Sequence, residues 1–164
     1  MEKFLEIKKN KLGIGTWKMG EIPKNKNEEI ASIRYALENG IRLIDTAEMY
    51  GNGNSEKLIA ESIKDFDREK LYLVSKVLPS NAGEKNIFKS CENSLKNLNV
   101  DYLDLYLLHW RGSIPFEETI RCMEKLKKEG KIKNWGVSNM DIDDMQELLS
   151  IPNGKNCLVN QVLY

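Results

Sequence analysis

The sequence has few residues of the types that build metal sites, disulfide frameworks or signal peptides. It contains one histidine and three cysteines among 164 residues, and Cys91, Cys122 and Cys157 lie far apart without a CxxC pair. A zinc site therefore has too few ligands, and the cysteines are expected to be reduced core residues. The N-terminal segment MEKFLEIKKN lacks the apolar stretch of a signal peptide. We expect a cytoplasmic protein that holds no metal.

Charge of either sign is not in excess, because 25 Lys and Arg residues balance 25 Asp and Glu residues. No basic run is longer than the KLKK of residues 125–128, which is too short for strong attraction to a nucleic-acid backbone. No stretch approaches the roughly 18 apolar residues of a membrane-spanning helix. Neither nucleic acid nor a membrane is expected as a partner, and the length fits one globular domain.

Short apolar runs alternate with longer segments of helical period, which predicts a parallel sheet wrapped by helices. A short hairpin turning at Asn10 is expected before the first strand, which is placed near residues 12–14. The five further strands are predicted to end at Asp45, at Lys76, at His109, near Ser138 and Asn139, and at Gln161. Five crossover helices are predicted to connect these six strands.

Six strands are too few for a closed (β/α)8 barrel, which takes about 250 residues. We predict an α/β fold in which residues 1–164 form a truncated domain, an incomplete (β/α)8 TIM barrel. An open sheet of six parallel strands is the alternative, but residues 161–164 would then end the chain on a strand without a covering helix. Either fold leaves an open sheet edge, which favours self-association.

Polar side chains follow five of the predicted strands. The carboxyl ends of parallel strands share one rim, where α/β folds place their ligands. A single polar residue after an apolar run often only caps the next helix, so the prediction of a site depends on all five strands together. The residues are Asp45, Lys76, His109, Ser138 with Asn139, and Gln161.

The chemistry of these side chains suits proton transfer to a substrate oxygen. Lys76 at the end of an apolar strand loses hydration, and Asp45 on the neighbouring strand can compensate its charge. Tyr50 lies on the loop after Asp45, and a cation about 4 Å away would lower the pKa of its phenol, before Asp45 offsets part of that effect. We expect Tyr50 to be a general acid and His109 to orient the substrate oxygen.

Six segments resemble the aldo-keto reductases and occur in the order of that family. They are LGIGTW (12–17), DTAEMYG (45–51), VSK (74–76), YLDLYLLHW (102–110), GKIKNWGVSN (130–139) and NQ (160–161), and the resemblance extends over essentially the whole chain. The resemblance implies a catalytic tetrad of Asp45, Tyr50, Lys76 and His109. In it, Tyr50 donates a proton, Lys76 lowers the pKa of Tyr50, Asp45 pairs with Lys76, and His109 orients the carbonyl group.

The resemblance also implies the ligands of the site. It implies NADPH as the cofactor, with NADH as the alternative, and an aldehyde or ketone as the small-molecule substrate. The implied cofactor contacts are Thr16, Trp17, Asp45, Ser138, Asn139 and Gln161, and the implied substrate contacts are Trp17, Tyr50, His109 and Trp110. Family members continue beyond the sixth strand with segments that grip the rest of the cofactor. Without those segments, this chain is not expected to turn over by itself.

Two other functions fit the residues if the resemblance is set aside. Lys76 could be the Schiff-base lysine of an aldolase-like barrel, which borohydride would trap as a covalent adduct. Alternatively, the incomplete barrel is not an enzyme and binds a partner or a second copy through its open edge.

Two further features have a simple structural interpretation. Trp135 lies inside the fifth predicted strand and is expected to be a core residue. The segment YGNGNSE (50–56) is not a GxGxxG loop, and it predicts a helix N-cap at Asn54 or Ser55.

Overall fold

One sheet of six parallel strands forms the centre of the computed structural model, which describes residues 12–163. Each strand pairs in parallel with the next strand along the chain. The strands are β1 (Gly13–Gly15), β2 (Leu43–Asp45), β3 (Tyr72–Val77), β4 (Leu103–Leu108), β5 (Ile132–Ser138) and β6 (Asn160–Gln161). The helices that connect them are α1 (Lys26–Glu38), α2 (Asn54–Ile63), α3 (Ile87–Leu98), α4 (Phe116–Lys128) and α5 (Ile142–Ser150). The predicted hairpin at Asn10 lies outside the described residues.

The sheet is curled rather than flat. Gln161 of β6 and Asp45 of β2 are joined by a hydrogen bond of 3.1 Å, although three strands lie between them. In a flat sheet with strands about 4.8 Å apart, they would be about 19 Å apart. In doubly wound sheets the strand order reverses at one point, whereas here it runs from β1 to β6 without a reversal. The prediction of an incomplete (β/α)8 barrel with six strands and five helices is therefore confirmed for the described part of the chain.

Apolar side chains cover both faces of the sheet. Leu73, Tyr106 and Trp135 belong to the large cluster between the sheet and the helices. A smaller cluster of buried residues lies on the concave face and consists of Tyr72, Val74, Leu105 and Leu107. Strands with two buried faces read as continuous apolar runs, which is why β3 and β4 were recognisable. The core position of Trp135 is confirmed, and its Nε1 donates a 2.6 Å hydrogen bond to Glu124.

The last strand is shorter than the CLVNQ run predicts. Only Asn160–Gln161 is regular strand, although the segment before it also bonds to β5. There, Leu158 N donates to Trp135 O, and Val137 N donates to Val159 O, both at 2.9 Å. Gly136 of β5 sits beside this segment, and a methyl group at its Cβ position would lie 2.6 Å from Val159 O. A glycine is therefore what lets the last segment approach β5 closely.

The cysteines and the helices were both the subject of expectations from the composition. Cys91 and Cys122 are buried, Cys157 is half-buried, and all three are unpaired. None of the helices within residues 12–163 is both long and apolar enough to cross a bilayer.

Candidate active site

Six of the predicted site residues lie at one rim of the sheet. Asp45, Ser138 and Gln161 are the last residues of β2, β5 and β6, and Lys76 is the last but one of β3. His109 follows β4 directly, and its backbone N–H donates to Val77 O of β3. Parallel pairing in register brings these strand ends together, as the sequence predicts. The remaining side chain, that of Tyr50, comes from the loop between β2 and α2.

Lys76 and Asp45 form a buried ion pair at the centre of this rim. The Nζ atom of Lys76 donates to both carboxylate oxygens of Asp45, at 2.8 and 2.7 Å, and to Thr46 O at 2.8 Å. The side chains are only 3% and 16% exposed. Burial lowers the pKa of Lys76, while Asp45 opposes that change. Three oxygen atoms accept hydrogen bonds from Lys76 Nζ. The amine is therefore already engaged, which argues against the free amine that a Schiff-base lysine needs.

Tyr50 and His109 face each other beside that pair. Their ring centroids are 5.8 Å apart with an interplanar angle of 73°. The Nζ atom of Lys76 lies 5.2 Å from the centroid of the Tyr50 ring. All four side chains of the implied tetrad thus lie together, three of them from different strand ends and Tyr50 from a loop.

The pKa of Tyr50 differs from the sequence-based expectation. Burial raises it above the ordinary value of a tyrosine, and the negative charge of Asp45 adds to the increase. The sequence had led us to expect that Lys76 would lower it. In this structure the Asp45 carboxylate neutralises much of the field of the ammonium group, because it contacts Nζ directly while the tyrosine does not. The phenol is therefore protonated at neutral pH and holds a proton that it can donate.

His109 is a buried neutral imidazole. The residue is 7% exposed, and burial, followed by the positive charge of Lys76, lowers its pKa to about 4. Its Nδ1 atom is buried and has no hydrogen-bond partner within the described residues. Its backbone oxygen accepts a hydrogen bond of 3.1 Å from Asn139 Nδ2. Near neutral pH the ring therefore carries one N–H and can donate one hydrogen bond to a ligand.

The predicted amide and hydroxyl contacts of the cofactor lie at the ends of β5 and β6. Ser138 is buried, and its hydroxyl group donates to Gln161 O at 2.8 Å. Asn139 has a left-handed backbone with φ of 57°, and it is exposed together with Gln161. The Gln161 side chain reaches across the mouth of the curled sheet to Asp45. All three side chains thus have hydrogen-bond partners within the protein, and the two amide side chains are exposed at this edge.

The two tryptophans predicted for the substrate pocket are exposed above the rim. Trp17 is 69% exposed, and Trp110 is 38% exposed. The Trp110 ring lies 4.7 Å from that of His109. Their exposure at strand ends leaves aromatic surface for a ligand beside the site.

Thr16, a predicted cofactor contact, is fully buried. Its hydroxyl group donates to Asp45 O at 3.0 Å and accepts from Ser55 Oγ at 2.8 Å. In this structure its side chain therefore supports the backbone of Asp45 from behind the rim.

Sequence reasoning missed a layer of buried polar residues beneath the rim. The predicted N-cap of α2 at Asn54 or Ser55 is wrong, because the N-cap is Gly53, with φ of 85°, and Ser55 bonds to Thr16. Glu56 is also fully buried and accepts hydrogen bonds from Ser75 Oγ at 2.8 Å and Asn97 Nδ2 at 3.0 Å. The only sequence signal was a serine within the otherwise apolar strand that ends at Lys76.

A curled parallel sheet with a tyrosine, a buried ion pair and a neutral imidazole at its carboxyl rim defines a protein of the (β/α)-barrel class. The comparison with known families makes the class specific. The profile of the aldo/keto reductase family matches residues 11–164, and the chain belongs to that family. The resemblance found in the six sequence segments is thereby confirmed.

Relatives of known name and structure share most of this chain. Methylglyoxal reductase YeaE of Escherichia coli is 55% identical over 153 residues, which are 93% of this chain and 54% of the relative. Glyoxal reductase of Bacillus subtilis is 41% identical over 92% of this chain and 52% of its own length. A crystal structure of an aldo/keto reductase from Klebsiella pneumoniae in complex with NADP and acetate superposes with a TM-score of 0.91 at 50% identity, covering 93% of this chain and 53% of that one. The chain spans about half the length of the curated relatives it matches.

Proposed function

We propose that this chain carries the proton-transfer site of a nicotinamide-dependent reductase that converts an aldehyde or ketone to an alcohol. The observation that supports the proposal most is the meeting of a protonated Tyr50, the Lys76–Asp45 ion pair and a neutral His109 at one rim. A carbonyl oxygen placed between Tyr50 and His109 would be next to one acid and one hydrogen-bond donor. Such a pair of groups serves a reaction in which negative charge develops on oxygen.

Each residue of the rim has a distinct role in this proposal. Tyr50 donates its phenolic proton to the substrate oxygen, and the nearby Lys76 ammonium group stabilises the phenolate that remains. Asp45 keeps Lys76 in place and charged. His109 donates a hydrogen bond to the same oxygen and fixes its direction, because a neutral ring does not compete with Tyr50 for the transfer of a proton.

The residues present fit the nicotinamide end of NADPH. A carboxamide needs both a donor and an acceptor, and the exposed side-chain amides of Asn139 and Gln161 offer both. When bound, the nicotinamide would supply the hydride for the carbonyl carbon. Solved relatives from Klebsiella pneumoniae contain NADP or NADPH, and an Escherichia coli relative 32% identical to this chain is named an NADH-specific methylglyoxal reductase. We therefore propose NADPH, with NADH as the alternative.

The proposed substrates are small carbonyl compounds. Several relatives are named for the reduction of methylglyoxal or glyoxal. Trp17 and Trp110 would provide the apolar walls, with Tyr50 and His109 at the base. We propose that the exposed indole rings of Trp17 and Trp110 limit the size of the substrate.

The proposed setting is the cytosol. All three cysteine thiols are unpaired, and unpaired thiols persist in a reducing compartment. A nicotinamide cofactor in reduced form would be available to the protein there.

A second proposal concerns the open edge of the sheet. β6 is the outermost strand of the described sheet on its side, and Val162 and Leu163 after it are exposed, Leu163 to 96%. We propose that a second copy of the chain binds along this edge, whether or not the single chain turns over. Exposed apolar residues beside an outer strand favour such pairing.

Substitution of Tyr50 tests the proposed reaction. In a chain restored to the full length of its relatives, Tyr50→Phe should lower the rate of carbonyl reduction by about 10²- to 10⁴-fold, since a positioned general acid contributes that much. Binding of NADPH, followed by quenching of tryptophan fluorescence, should remain unchanged. Tyr35→Phe is the matched control, because Tyr35 is an exposed tyrosine on α1. Equal rates for Tyr50→Phe and the unmodified protein would refute the role of Tyr50, and a folded chain that binds neither NADPH nor NADH would refute the proposed cofactor.

A further inference from the structure

We propose that Glu48 is a positioning residue, which sets the location of Tyr50 relative to Lys76 by fastening the Tyr50 loop to the loop after β3. The inference rests on the proposed function, because it concerns the proton donor of that reaction. Glu48 lies between Asp45 and Tyr50 on the loop that connects β2 to α2.

Glu48 bonds to the β3 side through its main chain and its side chain. Its backbone N–H donates to Lys76 O at 3.2 Å. Its Oε1 atom accepts from the backbone N–H of Leu78 at 2.7 Å and from Asn81 Nδ2 at 3.1 Å. The three bonds therefore span the segment that begins with Lys76 itself. Hydrogen bonds to a carboxylate are shorter and stronger than those between neutral groups, so this connection is a firm one.

The remaining contacts of the Tyr50 loop are made by the residues before Glu48 and by local bonds around Tyr50. Thr46 and Ala47, before Glu48, are buried in the core. After Tyr50, the backbone takes positive φ angles at Gly51, Asn52 and Gly53, and the N–H of Asn54 at the start of α2 donates to Tyr50 O. The backbone N–H of Tyr50 itself bonds only locally, to Ala47 O at 3.0 Å. Glu48 is thus the last residue before the proton donor that ties the loop to another strand.

The distance between Tyr50 and Lys76 depends on this connection. The ammonium group lies 5.2 Å from the Tyr50 ring, and its three bonds go to Asp45 and Thr46 instead. The geometry of donor and cation must therefore come from the backbone that carries each of them. A displacement of about 1 Å at a reacting group can cost about 10²-fold in rate.

Two substitutions separate positioning from charge. Glu48→Gln keeps the Oε1 acceptor for Leu78 and Asn81 and removes only the negative charge. Glu48→Ala removes the acceptor and leaves the Leu78 N–H without it. Glu118→Ala is the matched control, since the Oε1 atom of Glu118 accepts from the backbone N–H of Glu84 at 2.8 Å, on the same β3–α3 connection but away from Tyr50.

The readout is the titration of Tyr50 itself, which needs no turnover. With 3-fluorotyrosine incorporated at position 50 of the full chain, ¹⁹F NMR reports its pKa and line shape in each variant. We expect Glu48→Ala to lower this pKa toward that of free fluorotyrosine and to broaden the line, because a released loop loses the burial that raises the pKa. Glu48→Gln and Glu118→Ala should resemble the parent protein.

The outcomes distinguish the inference from the proposed reaction. A Glu48→Ala titration identical to that of the parent overturns the positioning role, and so does a Glu48→Gln variant as altered as Glu48→Ala, which would make charge the cause. In the kinetic assay, Glu48→Ala should lower kcat about 10- to 100-fold with little change in KM. If Tyr50→Phe retains full activity while the ¹⁹F result holds, the reaction is wrong and the loop connection stands.

Discussion

The residues at the rim differ in charge state: Lys76 and Asp45 are ionised, whereas His109 and Tyr50 are neutral. Lys76 and Asp45 are an ion pair with most of its surface withdrawn from water. His109 beside them is neutral, and Tyr50 retains its proton. Removing one charge of a buried pair leaves the other uncompensated, whereas removing both can be nearly neutral. The unfolding free energies of Lys76 and Asp45 variants therefore report on the ion pair, whether or not the chain is active.

Substitutions at Lys76 and Asp45 should be strongly non-additive. Lys76→Met should lower the free energy of unfolding by about 3–5 kcal/mol, because the Asp45 carboxylate remains buried and unpaired. The double variant with Asp45→Asn should lose much less than the sum of the two single losses. Urea unfolding at pH 7 provides the four values of the cycle.

A surface pair provides the reference for this cycle. Arg121 and Glu84 are 2.9 Å apart but both about two-thirds exposed, at 65% each. Their coupling should stay below about 1 kcal/mol. An equally small coupling between Lys76 and Asp45 would show that water screens the rim pair, contrary to its burial.

The titration of His109 should be visible without ambiguity, because the sequence has one histidine. In the folded protein its NMR midpoint should lie near pH 4, where burial and Lys76 place its pKa. The unfolded chain has a midpoint near 6.5 and so binds more protons between these pH values. The free energy of unfolding should therefore rise with pH across this window by up to a few kcal/mol and stay level above it.

The variant His109→Gln tests whether His109 causes the rise in unfolding free energy with pH. In His109→Gln, the rise in unfolding free energy between about pH 4 and 6.5 should be reduced, since the titrating group is gone. A histidine midpoint near 6.5 in the folded parent would contradict the buried neutral imidazole.

Among the elements, β6 is the strand with the least regular structure and the most direct link to the site. Its residue Gln161 reaches Asp45, and its residue Asn160 exchanges hydrogen bonds with the backbone of Met140. The approach of the segment before it depends on Gly136 of β5. The packing of β6 therefore affects the position of the Gln161 side-chain amide at the rim.

Gly136→Ala should loosen β6 while leaving the rest of the sheet intact. The added methyl group would meet the backbone oxygen of Val159 at 2.6 Å, so that segment must move. We expect a loss of about 1–3 kcal/mol in unfolding free energy and faster amide hydrogen exchange at Val137 and Leu158.

Gly15→Ala is the control for this substitution. No atom lies within 4 Å of a Cβ atom built at Gly15, so the change should stay within about 0.5 kcal/mol. Unchanged exchange at Leu158 in Gly136→Ala would mean that β6 shifts without losing its pairing.

At the scale of the whole molecule, the curled sheet brings the ends of β2 and β6 together but has outer strands at both ends of its order. The proposed self-association should appear as a sedimentation coefficient that rises with protein concentration. Leu163→Lys should suppress the rise, because a charge directly after the outer strand β6 opposes edge pairing. Ile142→Lys on α5 is the control, since Ile142 is also an exposed apolar residue, but lies on a helix.

A constant sedimentation coefficient in the parent protein would refute association through the edge. A rise that Ile142→Lys suppresses as strongly as Leu163→Lys would locate the contact elsewhere on the surface.

Much of the architecture was predictable because it depends on local periodicity. The runs before Asp45, Lys76 and His109 are apolar at nearly every position, as strands with two buried faces require. Parallel pairing then places their ends together, whatever the details of the loops. Strand ends were less certain: β3 continues to Val77, and the regular part of β6 is only two residues long.

Contacts made by loops were not predictable in the same way. Glu48, Ser55 and Glu56 are polar residues that each have partners 19 to 41 positions away, and no spacing rule connects them. Thr16 belongs to a motif shared with the family, yet its burial depends on α2 packing over it. The pKa of Tyr50 also escaped prediction, because its direction depends on whether Asp45 or Lys76 dominates at the phenol.

The sequence by itself determined the alternation of strands and helices, the family and the residue types at the strand ends. These follow from hydrophobic pattern and from motifs that are contiguous in the chain. Only the tertiary structure decided which groups hold charge, which of them face a ligand, and how the Tyr50 loop is fastened. Those properties depend on burial and on distances between residues remote in sequence, and an electrostatic interaction changes with both.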